Sequence, residues 1–155
     1  MDNLIYHQLK LLEGQYFSYS LSMAGRWLNY KLEKVEPGYI EASIEVREEM
    51  TNPVKNIHGG IIALLCDEIA GLAFYSQGKQ HFYTTVNLAV DYLYSASIGS
   101  KVTAIGRVMR SGKKIANVEC HVYDEQKQLI AHAKSNLVNT EKDIFDLTIH
   151  HSSKS

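Results

Sequence analysis

The sequence predicts an α+β domain in which a largely antiparallel sheet lies around one long, buried helix. Three observations carry this. From Ile61 to Phe74 apolar residues fall on every side of the chain at helical spacing, the mark of a helix inside a core. Before it, Ile40, Ala42, Ile44 and Val46 alternate with Glu41, Ser43 and Glu45, the period-two pattern of a half-exposed strand. After it come four strand-like runs, joined mostly by short turns. Strands gathered around a single helix favour an antiparallel sheet. The 155 residues, 45% of them hydrophobic, suit one domain with a real core.

In chain order, Leu4, Ile5, Leu9, Leu11 and Leu12 predict a short amphipathic helix ending at Gly14. Phe17, Leu21 and Met23 continue as a second short helix to Gly25. Trp27 to Val35 reads as a strand with Leu28, Tyr30 and Leu32 on one side. Glu36-Pro37-Gly38 is a turn. Gly78 closes the long helix. Thr84 to Tyr94 is a strand with Val86, Leu88, Val90, Tyr92 and Tyr94 on one face. Lys101 to Arg110, Ile115 to Tyr123 and Leu129 to Val138 complete the set. Their hairpin turns are Ser111-Gly112-Lys113 and Asp124-Glu125-Gln126-Lys127. The expected divisions are an N-terminal helical extension at 1–25, the core at 26–140 and a polar C-terminal tail at 141–155, loose from His150 onward.

A net charge of −1 points away from nucleic acid as a partner. Cys66 and Cys120 are isolated and read as reduced core thiols of a cytoplasmic protein. The N-terminus lacks a signal peptide's charged start and apolar run. Asp67, Glu68 and Gly71 interrupt the long helix, so it is not a membrane span. His7, His81, His121, His132, His150 and His151 show no metal-ligand spacing, and no metal is expected.

Chemistry concentrates where the polar loop Asn52–Gly60 enters the apolar helix. Two carboxylates, Asp67 and Glu68, sit inside that helix, where burial is costly unless something pairs with them. Gly59 and Gly60 fall at its first turn, where unpaired N–H groups and the positive dipole end could polarise a carbonyl. The same glycines could simply permit a sharp turn. Asn52 can hold a water or a carbonyl, or form a loop turn before Pro53. His58 is as well suited to orienting the loop as to binding a substrate. Thr85 can hold a water or Asp67, or express strand propensity alone. Arg110, Lys113 and Lys114 flank Gly112 at a hairpin tip, which suits phosphate groups but is equally common as a solvated turn.

Asn52, His58-Gly59-Gly60, Asp67 and Thr85, in this spacing, resemble the motif of the hotdog-fold acyl-CoA thioesterases, in particular their phenylacetate-degradation (PaaI-like) branch. Asp91-Tyr92-Leu93-Tyr94-Ser95-Ala96 is similar to the family's Tyr-Leu-x-x-Ala stretch, and Arg110 to Lys114 to its basic turn. The resemblance covers about Gly25 to Asn139. It implies a hotdog fold, a curled antiparallel sheet around one helix, and hydrolysis of an acyl-coenzyme A to free acid and coenzyme A. No cofactor is implied beyond the coenzyme A of the substrate. The implied assembly is a homodimer paired edge to edge, further joined into a homotetramer. Each site is shared, with the carboxylate helix from one subunit and the His-Gly-Gly loop from the other. The implied catalytic set is Asp67 as general base or nucleophile and Gly59 as oxyanion donor, with Asn52, His58 and Thr85. Asn87, Tyr92, Arg110, Ser111, Gly112, Lys113 and Lys114 are the implied contacts to coenzyme A. Tyr94-Ser95 stands where many relatives have Arg-Pro, and the N-terminal extension lies outside the shared core. Two rival functions are a dehydratase or hydratase of this fold and a non-catalytic acyl-CoA-binding module. The His-Phe-Pro-Gly-His pattern of one dehydratase branch is missing from the sequence.

Overall fold

The computed structural model describes residues 2–147; Met1 and residues 148–155, with His150 and His151, lie outside the described residues. The element order is α1 (Leu4–Leu11), α2 (Met23–Leu28), β1 (Lys31–Glu36), β2 (Tyr39–Glu45), a 3-10 turn (Glu48–Met50), α3 (Gly59–Tyr75), β3 (His81–Tyr92), β4 (Lys101–Ser111), β5 (Ile115–Tyr123) and β6 (Leu129–Asp143). The six strands form one sheet in the order β1-β2-β4-β5-β6-β3, with every neighbouring pair antiparallel. Among the described residues no helix is long and apolar enough to cross a membrane.

The sheet curls over one side of α3. Ile62, Leu65, Cys66, Ile69 and Ala73 are buried there with Val102, Ala104, Val118, Cys120 and Val122. Cys66 and Cys120 are free, buried thiols. Gly106 on β4 lets strand and helix come close, since a Cβ there would lie 2.8 Å from the Ile69 carbonyl oxygen. The curled sheet leaves one side of the helix to be covered by other parts of the chain. Ile61, Leu64, Asp67, Glu68, Gly71 and Tyr75 form a stripe that stays partly open.

The N-terminal extension covers part of that stripe. Asn3 caps α1 by accepting from the Tyr6 N–H, and its amide donates to the Ser76 carbonyl at 2.9 Å, tying α1 to the far end of α3. The second helix starts and ends later than expected. Residues 14–17 pair with the β1 edge, where the Phe17 N–H donates to the Tyr30 carbonyl at 2.9 Å. Ser22 then caps the Gly25 N–H, so the helix begins at Met23. It runs through Trp27 and Leu28, which the sequence assigned to a strand, and stops at Asn29 in the left-handed region (φ 53°). Gly38 has φ 77° in the two-residue Pro37-Gly38 turn, a conformation glycine adopts without strain.

Two further strand expectations change. β6 continues through Asp143, past the Val138 end expected for the last strand, and Ile144 is buried. In β3 a bulge falls between Thr85 and Asn87, leaving Val86 unpaired and 62% exposed instead of on the face of Leu88 and Val90. β3 is also an open edge of the sheet.

Candidate active site

The loop before α3 is built by its own polar side chains. Asn52 Oδ1 accepts from the N–H groups of Val54 and Asn56, both at 3.1 Å, which folds the loop back on itself. The His58 N–H donates to the Met50 carbonyl at 2.8 Å and holds the loop's exit. His58 is the N-cap of α3, with Nδ1 accepting from the Gly60 N–H at 2.9 Å. One of the two candidate oxyanion donors is thereby occupied. The Gly59 N–H has no acceptor among the described residues and lies at the positive end of the helix dipole. The Tyr92 hydroxyl donates to the Gly59 carbonyl at 2.8 Å. Its ring would stand 3.2 Å from a Cβ at Gly59, so glycine is what allows this approach.

Eight residues further along α3, Asp67 accepts from the Thr85 hydroxyl at 2.7 Å. The bulge after Thr85 sets this contact. It keeps Thr85 facing the helix while the strand's alternation resumes one residue out of step at Leu88. Asp67 is about 12 Å along the axis from its own Gly59, at ~1.5 Å rise per residue. The two cannot act on one carbonyl within a single chain.

Asp67, Glu68 and Thr85 open on a cavity of about 630 Å³ between α3, the start of β3 and the N-terminal extension. Its walls include Leu9, Leu12, Phe17, Leu21, Leu72 and Phe74. Glu68 and Tyr30 belong to the same wall, and sequence reasoning gave neither a functional role. Burial pushes the Glu68 carboxyl above the usual carboxylate range; the Ser22 hydroxyl opposes this, the Asp67 charge adds to it, and Ser20 opposes it. Burial first, then the Glu68 charge, push the Tyr30 phenol up, against the effect of the Ser20 hydroxyl. No local spacing could have announced this group, because its members come from three separate segments.

The raised pKa of Glu68 has a consequence for stability. The unfolded chain releases this proton near pH ~4.3, the ordinary value for a glutamic acid. The folded chain releases it only at higher pH. Between the two values the folded state holds the extra proton, so stability falls as pH rises through that window. Glu68→Gln is expected to melt above the wild type at about pH 8 and to match it below about pH 4, where both side chains are neutral. Melting curves across pH check this; a constant difference at every pH would refute it.

The basic hairpin is only partly assembled into a site. A second cavity of about 360 Å³ is lined by Lys79, Gln80, His81, Tyr83, Ser111, Gly112, Lys113 and Asn139. It shares Lys79, His81 and Tyr83 with the first cavity. Lys113, Ser111 and Gly112 are thus brought together with Lys79 and His81, which the sequence did not single out. Arg110 and Lys114 do not line it. Asn87 is exposed beside the bulge, in register with Asn136 and away from both cavities. On the sheet face opposite α3, Glu119, His121 and His132 place ligand-type atoms within 4.8 Å of one another, although no sequence spacing announced them. His121 and His132 are direct cross-strand partners, which is how residues so far apart in the chain meet.

A family model described as the thioesterase superfamily matches residues 55–131. The medium/long-chain acyl-CoA thioesterase YigI of Escherichia coli is 29% identical over 141 residues, 81% of this chain and 89% of YigI. Human acyl-coenzyme A thioesterase 13 is 28% identical over 85 residues, 55% of this chain and 61% of that protein. Among solved structures, smu.793 from Streptococcus mutans bound to acetyl CoA superposes with a TM-score of 0.70 at 29% identity, over 74% of this chain and 91% of the other. The PaaI protein of the E. coli phenylacetic acid degradation operon superposes at 0.73 with 19% identity, over 79% of this chain and 87% of the other, a likeness of fold. Six antiparallel strands curled over one buried helix, matched in both sequence and architecture, place the chain in the thioesterase superfamily on the hotdog fold.

Proposed function

We propose that the protein hydrolyses the thioester of an acyl-coenzyme A. The observation that carries this is a carboxylate, Asp67, oriented by Thr85 at 2.7 Å and opening on a largely apolar cavity of about 630 Å³. Thr85 binds Oδ1 and leaves Oδ2 to accept a proton from water. The water oxygen attacks the thioester carbonyl carbon, and the negative charge passes to the carbonyl oxygen. The Gly59 N–H of a second copy stabilises that oxyanion; such donors are typically worth about 2.7–4 kcal/mol in the transition state. The intermediate collapses, the carbon–sulfur bond breaks, and the thiolate leaves to take a proton. The acetyl CoA-bound smu.793 structure and the acyl-CoA thioesterases among the chain's relatives favour this reading.

The shared site requires a dimer. The open edge of β3 supports one, because a long unpaired strand edge is a template for pairing with its own copy. Lys79, Lys113 and Ser111 suit the phosphates of coenzyme A, as charged and hydroxyl donors around one cleft.

The test is thiol release from a panel of acyl-CoAs of varied chain, followed with a colorimetric thiol reagent. Turnover on at least one is expected. Tight binding with no thiol released from any of them would favour the non-catalytic module instead.

A further inference from the structure

The family match begins at residue 55, yet much of the cavity wall beside Asp67 comes from residues 5–30. That segment is firmly held. Lys10 Nζ donates to the Val35 carbonyl at 3.1 Å, the Val35 N–H donates to Glu13 Oε2 at 2.8 Å, and the Gly14 N–H donates to the Leu32 carbonyl at 2.6 Å. With Asn3 bonded to Ser76, it is a fixed wall and not a lid. The chamber it closes is therefore preformed.

Inside this mostly apolar chamber one polar group is conspicuous. Tyr30 is fully buried; the Ser20 hydroxyl lies near enough to act on its phenol, but the Tyr30 hydroxyl makes no hydrogen bond of ordinary geometry among the described residues. An unpaired buried hydroxyl is costly, and native interiors rarely keep one without a water or a ligand to meet it. Glu68 shares the wall, close enough for its charge to act on the phenol. It is confined from behind, because any Cβ at Gly25 would collide with its Oε2. The phenol donates; the carboxyl, which burial holds toward its neutral form, can both donate and accept. A hydroxyl group, as acceptor and donor at once, complements the pair. A bare methylene leaves the phenol unmet.

We infer that Tyr30 and Glu68 form a polar subsite within the acyl chamber that selects acyl chains carrying a hydroxyl group. The inference rests on the thioesterase reading and names the substrate class of that same site.

The experiment compares decanoyl-CoA with its positional hydroxy isomers, from the β-carbon to the terminal carbon, in the wild type, Tyr30→Phe and Glu68→Leu. At least one hydroxy isomer is expected to exceed decanoyl-CoA in kcat/KM by about tenfold or more, the scale of leaving a buried polar group unpaired. Each substitution is expected to bring that ratio toward one. Tyr30→Phe removes an unpaired hydroxyl at constant shape and is expected to melt no lower than the wild type. Glu68→Leu serves as an independent variant should the first fold poorly. Hydrolysis without any preference for a hydroxy isomer, or a preference that survives both substitutions, overturns the subsite and leaves the thioesterase reading standing. Absence of thiol release from every substrate overturns the thioesterase reading instead. Calorimetry with the free acids then decides the subsite: tighter binding of a hydroxy acid, lost in Tyr30→Phe, supports it, and equal binding rejects it.

Discussion

Asp67→Asn is expected to lower kcat about 10²–10⁴-fold on the best acyl-CoA substrate, the usual range for losing a general base. That corresponds to about 2.7–5.4 kcal/mol of barrier at ~1.36 kcal/mol per decade. The amide can still accept the Thr85 hydroxyl, so the side chain's geometry and the melting temperature are expected to hold. It cannot take a proton from water, and only the chemistry is removed. Asp67→Ala is expected to lose as much rate without loss of subunit assembly. Steady-state kinetics beside a melting curve and a sedimentation profile check the three together. Wild-type turnover in either variant would exclude Asp67 as the group that activates water.

The largest stability effect is expected at Gly106→Val. The glycine lies in β4, in register with Ile40 on one side and Cys120 on the other. A Cβ would sit 2.8 Å from the Ile69 carbonyl oxygen and 3.1 Å from Ile69 Cγ2. The first contact is helix backbone, which cannot turn aside as a side-chain tip can. Relief requires α3 to move off the sheet where Ile69 meets Gly106. Overpacking of this kind costs about 1–3 kcal/mol and occasionally more, or about 2–4 °C of melting temperature per kcal/mol for a domain this size. Because Ile69 lies only two residues after Asp67, a shift of the helix also moves the carboxylate relative to Thr85. Activity is therefore expected to fall along with the denaturation midpoint. An unchanged midpoint in urea would show that the sheet can yield at this position.

The N-terminal extension illustrates where local patterning misleads. Leu4 to Leu12 carry a helical period, and a helix forms there. Phe17 and Leu21 carry the same kind of spacing but are not helical, because the chain at Phe17 bonds to Tyr30 across the β1 edge. Trp27 and Leu28 suit a strand by residue type, yet Ser22 caps a helix that takes them in and Asn29 ends it. Caps and cross-strand bonds decided these positions, and both outrank the modest propensities of the residues involved.

The site divides along similar lines. The His-Gly-Gly cap, the carboxylate two turns later and the threonine downstream were recognisable from spacing and family likeness. The fold adds how the two donors divide: the Gly60 N–H bonds to His58, while the Gly59 N–H, the donor the family likeness implied, has no acceptor among the described residues. Nor could the basic hairpin be sorted, since the cleft takes Lys113 and recruits Lys79 while leaving Arg110 and Lys114 outside.

Hydrophobic period and turn residues were enough to give the element order and the single buried helix, because both depend on neighbours a few positions away. The chamber beside Asp67, the aim of Thr85 across a bulge and the meeting of Tyr30 with Glu68 come from the packing of distant segments. Burial and close contact, not local spacing, created those features, and they exist only in the folded chain.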